Sequence, residues 1–207
     1  MRRALIFGIL TGVLSLTQAN GLQAQIDGVG VIVGPAISDF RGNGSNAFNA
    51  TTGFFAGGFA EIGFGGVIGL RPELLYIQKG ASRNTTPSTT FKIEYLEVPV
   101  LLTFDAPLGG VLGLEVYAGP QISFLSNCKA DLQNGASGIP CATQGLPVRS
   151  TDWGLVFGTE LAIKVFVVGL RYDMGLTQIV DDPNINLKNQ AFLITAGVLF
   201  RLPGTGE

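Results

Sequence analysis

The chain contains no histidine, only two cysteines and one tryptophan in 207 residues, and charged residues make up 14% of it. Without histidine it lacks the side chain that titrates near neutrality and the commonest metal ligand, which excludes His-based hydrolases and ordinary zinc sites. No GxSxG turn and no GKS/T phosphate loop occurs either. No catalytic residue, cofactor or metal-ligand set is therefore assigned. Beyond the first residues no run of 18 apolar residues exists, so no helical membrane span is expected. Thirteen Lys and Arg stand against 15 Asp and Glu, a balance that offers nothing to nucleic acid. What remains is a chain that is 46% hydrophobic with 30 glycines. Such a chain has two outlets: a buried soluble β core, or a barrel that turns its apolar face to lipid.

The first residues read as an export leader. Met1, Arg2 and Arg3 give a positive start, Ala4 to Leu16 an apolar stretch too short to span a bilayer, and Thr17 to Gln25 a polar segment with small residues. Residues 1–24 are taken as a signal peptide cut after Ala24, with Ala19 as the alternative, leaving 25–207 as one domain. Loss of Arg2 and Arg3 takes the formal charge from −2 to −4.

Period-two alternation bounded by Gly, Pro, Asn and Asp predicts strands near 28–37, 53–64, 67–79, 91–105, 111–125, 152–163, 165–177 and 190–202. The links after the second, fourth and sixth are tight: Gly65-Gly66, Ala106 to Gly110, and Lys164 with its neighbours. Those after the first, third, fifth and seventh are long and polar: Asn43 to Thr52, Gly80 to Thr90, Ser126 to Thr151, and Gln178 to Asn189. A barrel threading a membrane from one side sorts its connections this way, with short periplasmic turns and long outer loops. The expected fold is all-β, an eight-stranded antiparallel up-and-down transmembrane β-barrel in the outer membrane.

Parity supports this. Leu112, Leu114, Val116, Ala118, Ile122 and Phe124 share one face of the fifth strand, opposite Glu115, Tyr117, Gln121 and Ser123. In the third strand Ile68, Leu70, Leu74 and Tyr76 lie opposite Arg71, Glu73 and Lys79. Collected over all strands, the inward charges are Glu61, Arg71, Glu73, Glu97, Glu115, Glu160, Arg171 and Asp173. An eight-stranded barrel is narrow enough to be filled by side chains, so these groups are expected to pair in a structural network. An ion or proton pathway and carboxylate-pair catalysis are the weaker readings. Outward aromatics collect at strand ends: Phe64, Phe104, Phe166 and Phe200 at one interface, Phe54, Tyr76, Phe124, Trp153 and Phe192 at the other. Pro72, Pro99 and Pro120 predict bulges or missing ladder bonds.

Cys128 and Cys141 lie in one Asn/Gly/Ser/Pro-rich segment, which in an exported protein reads as a loop disulfide, against two free thiols or a weak metal site.

Specific strings add a resemblance. Pro72-Glu73-Leu74-Leu75-Tyr76 with Lys79-Gly80, then Tyr95-Leu96-Glu97-Val98-Pro99, then Ala118-Gly119-Pro120, and finally Leu170-Arg171-Tyr172 with Gly175-Leu176 resemble the PorT-like outer-membrane β-barrel family. The resemblance implies an eight-stranded barrel in a Gram-negative outer membrane and supplies no catalytic motif. Three functional classes follow: a non-enzymatic barrel that anchors or binds a protein partner through its outer loops, a narrow channel, and a soluble lipocalin-like carrier with inverted faces. Membrane lipid is the partner expected of the first two; oligomeric state is left open.

Overall fold

The computed structural model describes residues 24–83, 85, 86, 88–180 and 186–202. The proposed leader, apart from Ala24, lies outside the described residues, as does part of the expected Gln178–Asn189 loop.

Nine strands form among the described residues: β1 Gln25–Gly42, β2 Phe48–Gly63, β3 Ile68–Arg83, β4 Thr89–Gly109, β5 Leu112–Leu132, β6 Ile139–Pro140, β7 Thr151–Ile163, β8 Phe166–Gly175 and β9 Leu187–Arg201. Each long strand pairs antiparallel with the next, and β1 returns to β9 from Gly28↔Arg201 to Gly42↔Leu187. The eight long strands therefore close into an up-and-down barrel. The two-residue β6 adds only to the outside of β5, opposite Lys129 and Ala130.

The tight connections carry the left-handed backbone that such turns demand. Gly65 and Gly66 have φ of 84° and 82°, and Gly109 and Gly110 have 102° and 62°. Lys164, at 57°, takes the same conformation without being glycine. All three turns lie at one end of the barrel, here the turn end; the long connections lie at the loop end. No described helix is long and apolar enough to cross a membrane.

Every predicted strand is present, but several run further into the expected loops. β3 continues to Arg83, β4 starts at Thr89, and β5 continues to Leu132, so Ser126 to Leu132 is strand and not loop. Cross-strand pairing continues through these residues and satisfies their backbone groups. Pro72, Pro99 and Pro120 leave gaps in the β3–β4 and β4–β5 ladders, yet register is kept across each gap. Bulges fall elsewhere, notably between Glu94 and Tyr95, where Ser126 is the extra residue. That one residue reverses parity in the upper part of β5, so Cys128 and Ala130 turn inward.

Candidate functional site: the lumen and its loop-end cap

The barrel's outer face is apolar, with Val31, Leu74, Leu102, Val116, Phe157 and Val168 all well exposed. Between its two ends the charges are inside. A soluble lipocalin-like carrier would show the reverse.

Inside, the two walls differ. The inner faces of β1, β2 and β9 contribute apolar side chains, among them Ile32, Ala36, Phe55, Phe59, Leu193 and Leu199. The charges come from β3, β4, β5, β7 and β8. Arg71 on β3 is the hub at the turn end. Its Nη1 donates to Glu115 Oε1 at 2.7 Å and Glu160 Oε2 at 2.8 Å, and its Nε lies 3.0 Å from Glu73 Oε1. The guanidinium also sits 3.8 Å over the Phe59 ring and 5.3 Å from that of Tyr117, whose hydroxyl donates to Glu160. Glu73 passes the chain of contacts to Arg171, which donates through Nε to Asp173 at 2.7 Å. Lys79 then lies 3.3 Å from Asp173 and donates to Glu97 Oε1 at 2.9 Å. Ser123 Oγ donates to the same Glu97 oxygen. Alternating charges thus run as a column along the barrel, and every member is buried. A guanidinium suits the hub because its fork serves several carboxylates at once, which an ammonium cannot.

Of the eight inward charges read from the sequence, seven lie in this column. Glu61 does not: it lines a cavity of about 540 Å³ at the turn end with Asp27, Asp105 and Arg201. A smaller chamber of about 30 Å³ is lined by Glu61, Asp105 and Arg201 together with Glu115 and Glu160 at the foot of the column. Lys79 shares the inward face of β3 but was left out of the expected set; the structure makes it the third cation. A second polar group also went unassigned. Asp152 accepts hydrogen bonds from Asn189 Nδ2 at 2.9 Å and from Thr177, and Asn189 also donates to the Tyr95 hydroxyl. Its signal in the sequence was an acid one position before the outward Trp153.

The loop end is closed by a cap. Cys141, Leu146, Ile179 and Val180 are buried against Phe40, Phe48 and Phe91. Val148 bridges Val180, Arg149 N–H donates to Ile179 O at 2.7 Å, and Ile179 N–H to Leu187 O at 2.8 Å. Cys128 and Cys141 are joined by a disulfide with Cα atoms 5.5 Å apart. Contrary to expectation, Cys128 belongs to β5 and not to a loop, so the bond ties the cap to the barrel wall. Outside this seam, Asp131 lies 2.7 Å from Lys92 and accepts from Gly138 N–H at 2.9 Å. The hydrogen bond from Lys92, and then that from Gly138, hold the Asp131 carboxyl below its usual range.

Residues 23–181 match the family model described as an outer membrane protein beta-barrel domain. The chain belongs to that family. It is an integral β-barrel of the outer membrane, in contact with membrane lipid. Among solved structures it resembles Neisserial surface protein A, at 18% identity over 84% of this chain and 97% of that one, with a TM-score of 0.49. It also resembles OprG from Pseudomonas aeruginosa, at 16% identity over 87% and 100%, with a TM-score of 0.49. For Ail of Yersinia pestis the identity is 16% over 85% and 100%, with a TM-score of 0.45. No curated protein matches the chain.

On the exterior of this outer-membrane barrel, Phe104, Phe166 and Phe200 are exposed near the turn end, where Phe64 is half-buried. Phe54, Phe124, Trp153 and Phe192 are exposed toward the loop end. Tyr76 lies half-buried beside Phe54, with ring centroids 5.6 Å apart.

Proposed function

We propose that this barrel is a non-enzymatic outer-membrane anchor that does not conduct and presents its disulfide-tied cap outward as a binding surface for a protein partner. The carrying observation is the filled interior. The Arg71–Glu73–Arg171–Asp173–Lys79–Glu97 column occupies one wall, the apolar side chains of β1, β2 and β9 the other, and the cap lies over both. A pore would need the column and the cap displaced together.

In this reading the turn end faces the periplasm, the aromatics at each end mark the two interfaces, and residues 1–24 are a leader removed at Ala24. The strings that resemble the PorT-like family favour that branch of outer-membrane barrels. The cavity at the turn end favours a second reading, a gated pore for which this recess would serve as the periplasmic vestibule.

Two measurements decide. Protease applied to intact cells should cut in the segment between β5 and β7; cutting only after the outer membrane is broken would overturn the orientation. The purified full chain in a planar bilayer should show no unit conductance. Regular steps would replace the anchor with the pore.

A further inference from the structure

The lumen does not balance its charge: three cations face six buried acids once Asp152 is counted with the column. At the foot, Arg71 answers Glu73, Glu115 and Glu160 beside the turn-end chamber, where Arg201 also stands. Toward the loop end, Lys79 and Arg171 are left with Glu97, Asp173 and Asp152, one negative charge too many. The unanswered acid is Asp152. Its carboxylate is met by the Thr177 hydroxyl and the Asn189 amide, both neutral donors, and it makes no ion pair among the described residues. A buried charge without a counter-charge is costly.

The orphaned atoms around it are of one kind. Glu97 Oε2, Gln121 Oε1 and Asn189 Oδ1 have no hydrogen-bond partner, on residues that are 0%, 3% and 1% exposed. All three are acceptor oxygens. The Asn189 amide is fixed in that sense, because its Nδ2 donates to Asp152 Oδ2 at 2.9 Å and to the Tyr95 hydroxyl at 3.1 Å. Register brings the groups together. On the inner face, Ser123 of β5 is directly opposite both Glu97 of β4 and Asp152 of β7, and Gln121, two residues along β5, is the diagonal neighbour of both acids. Asn189 joins them from β9 through its bond to Asp152. Oxygens from carboxylate and amide suit a hard cation. A divalent ion asks for more carboxylates, and no three acids among the described residues are grouped to hold a metal ion. The single excess charge matches a monovalent one.

We infer that Glu97, Gln121, Asp152 and Asn189 form a binding site for a hard monovalent cation such as sodium, which supplies the charge that the loop-end half of the lumen lacks. The inference holds whichever end of the barrel faces outward and needs no partner at the cap.

The site lies beneath the cap, so the test refolds the full-length chain from urea into neutral detergent in each salt. Sodium chloride is exchanged stepwise for choline chloride at constant ionic strength, since the quaternary cation offers no bare charge to oxygen ligands. The melting temperature should rise saturably with sodium, by about 5 °C at saturation, and sodium-NMR lines should broaden in the presence of the barrel. Gln121→Leu should still give a heat-modifiable band but lose most of the rise. Asp152→Asn should lose it as well and melt above wild type in choline, because the excess charge is gone. Asp131→Asn, outside the lumen, should keep the full rise. Equal melting in sodium and choline overturns the site. So does a melt that ignores sodium and climbs in acid, which would assign the excess charge to a bound proton. A sodium-dependent rise retained in both Gln121→Leu and Asp152→Asn overturns its placement, and an Asp152→Asn barrel that melts lower in both salts makes Asp152 a structural acceptor only. Bilayer conductance is read separately, so failure of the anchor reading leaves this outcome untouched.

Discussion

At the residue scale, the hub of the lumen depends on side chains that are absent as much as on those present. A Cβ on Gly158 would lie 2.4 Å from the Tyr117 ring, so glycine there lets the ring lie against the wall beside Arg71. Gly158→Ala should cost about 1–3 kcal/mol by overpacking. All three nearest atoms belong to Tyr117, so a double-mutant cycle with Tyr117→Leu should show favourable coupling; additive costs would mean that the contact is not what limits the site. Arg71→Met should be far more damaging, on the order of 3–5 kcal/mol, because Glu115, Glu160 and Glu73 would keep buried charge with their shared cation gone. Urea unfolding in detergent measures both. The inward position of Arg71 and Arg171 was legible from parity alone. That Arg71 would gather three carboxylates while Glu61, on the same parity, joined none was not, because alternation gives a face and no distances.

At the scale of elements, the upper half of β5 decides where the cap is fastened. The bulge at Ser126 turns Cys128 inward to meet Cys141. Deleting Ser126 should restore strict alternation, point Cys128 outward and leave two alkylatable thiols. A bond still formed in that variant would show that the bulge does not set the pairing. Replacing both cysteines by serine should leave insertion and heat-modifiability intact while freeing the cap from β5. Closing a loop of this length is worth about 3 kcal/mol in the chain-entropy model, so limited proteolysis between β5 and β7 should accelerate sharply. The Asp131 contacts give the same hairpin a pH dependence. The folded carboxyl titrates below its unfolded value, so its contribution is full above the ordinary Asp range and is lost as pH falls through the lowered value. Asp131→Asn should loosen the hairpin at neutral pH, and the difference from wild type should vanish in acid. Both cysteines and the likelihood of their pairing were readable in the sequence. The strand that holds Cys128 was not, because Asn, Lys and Ser around it resemble a loop until cross-strand partners claim their backbone.

For the molecule as a whole, the proposed closure rests on two seals, the charge column and the cap. Removing residues 133–147 should therefore leave the barrel non-conducting, since the Arg71 and Arg171 contacts lie deeper and do not touch that segment. Conductance appearing in that deletion would make the cap the sole gate. It would also promote the turn-end cavity from a blind recess to a vestibule.

By itself the sequence determined the number of crossing strands, their direction and which side chains face lipid, because a period of two combined with the cost of a charge in hydrocarbon allows one register only. The alternation of short and long connections followed from the same reading. Only the tertiary structure decided how the inward residues divide into an apolar wall and a charged one, which acids share a cation, and that the cap covers the loop-end mouth. Those outcomes depend on barrel circumference and stagger, which bring residues such as Arg71 and Glu160, 89 positions apart in the chain, within hydrogen-bonding distance.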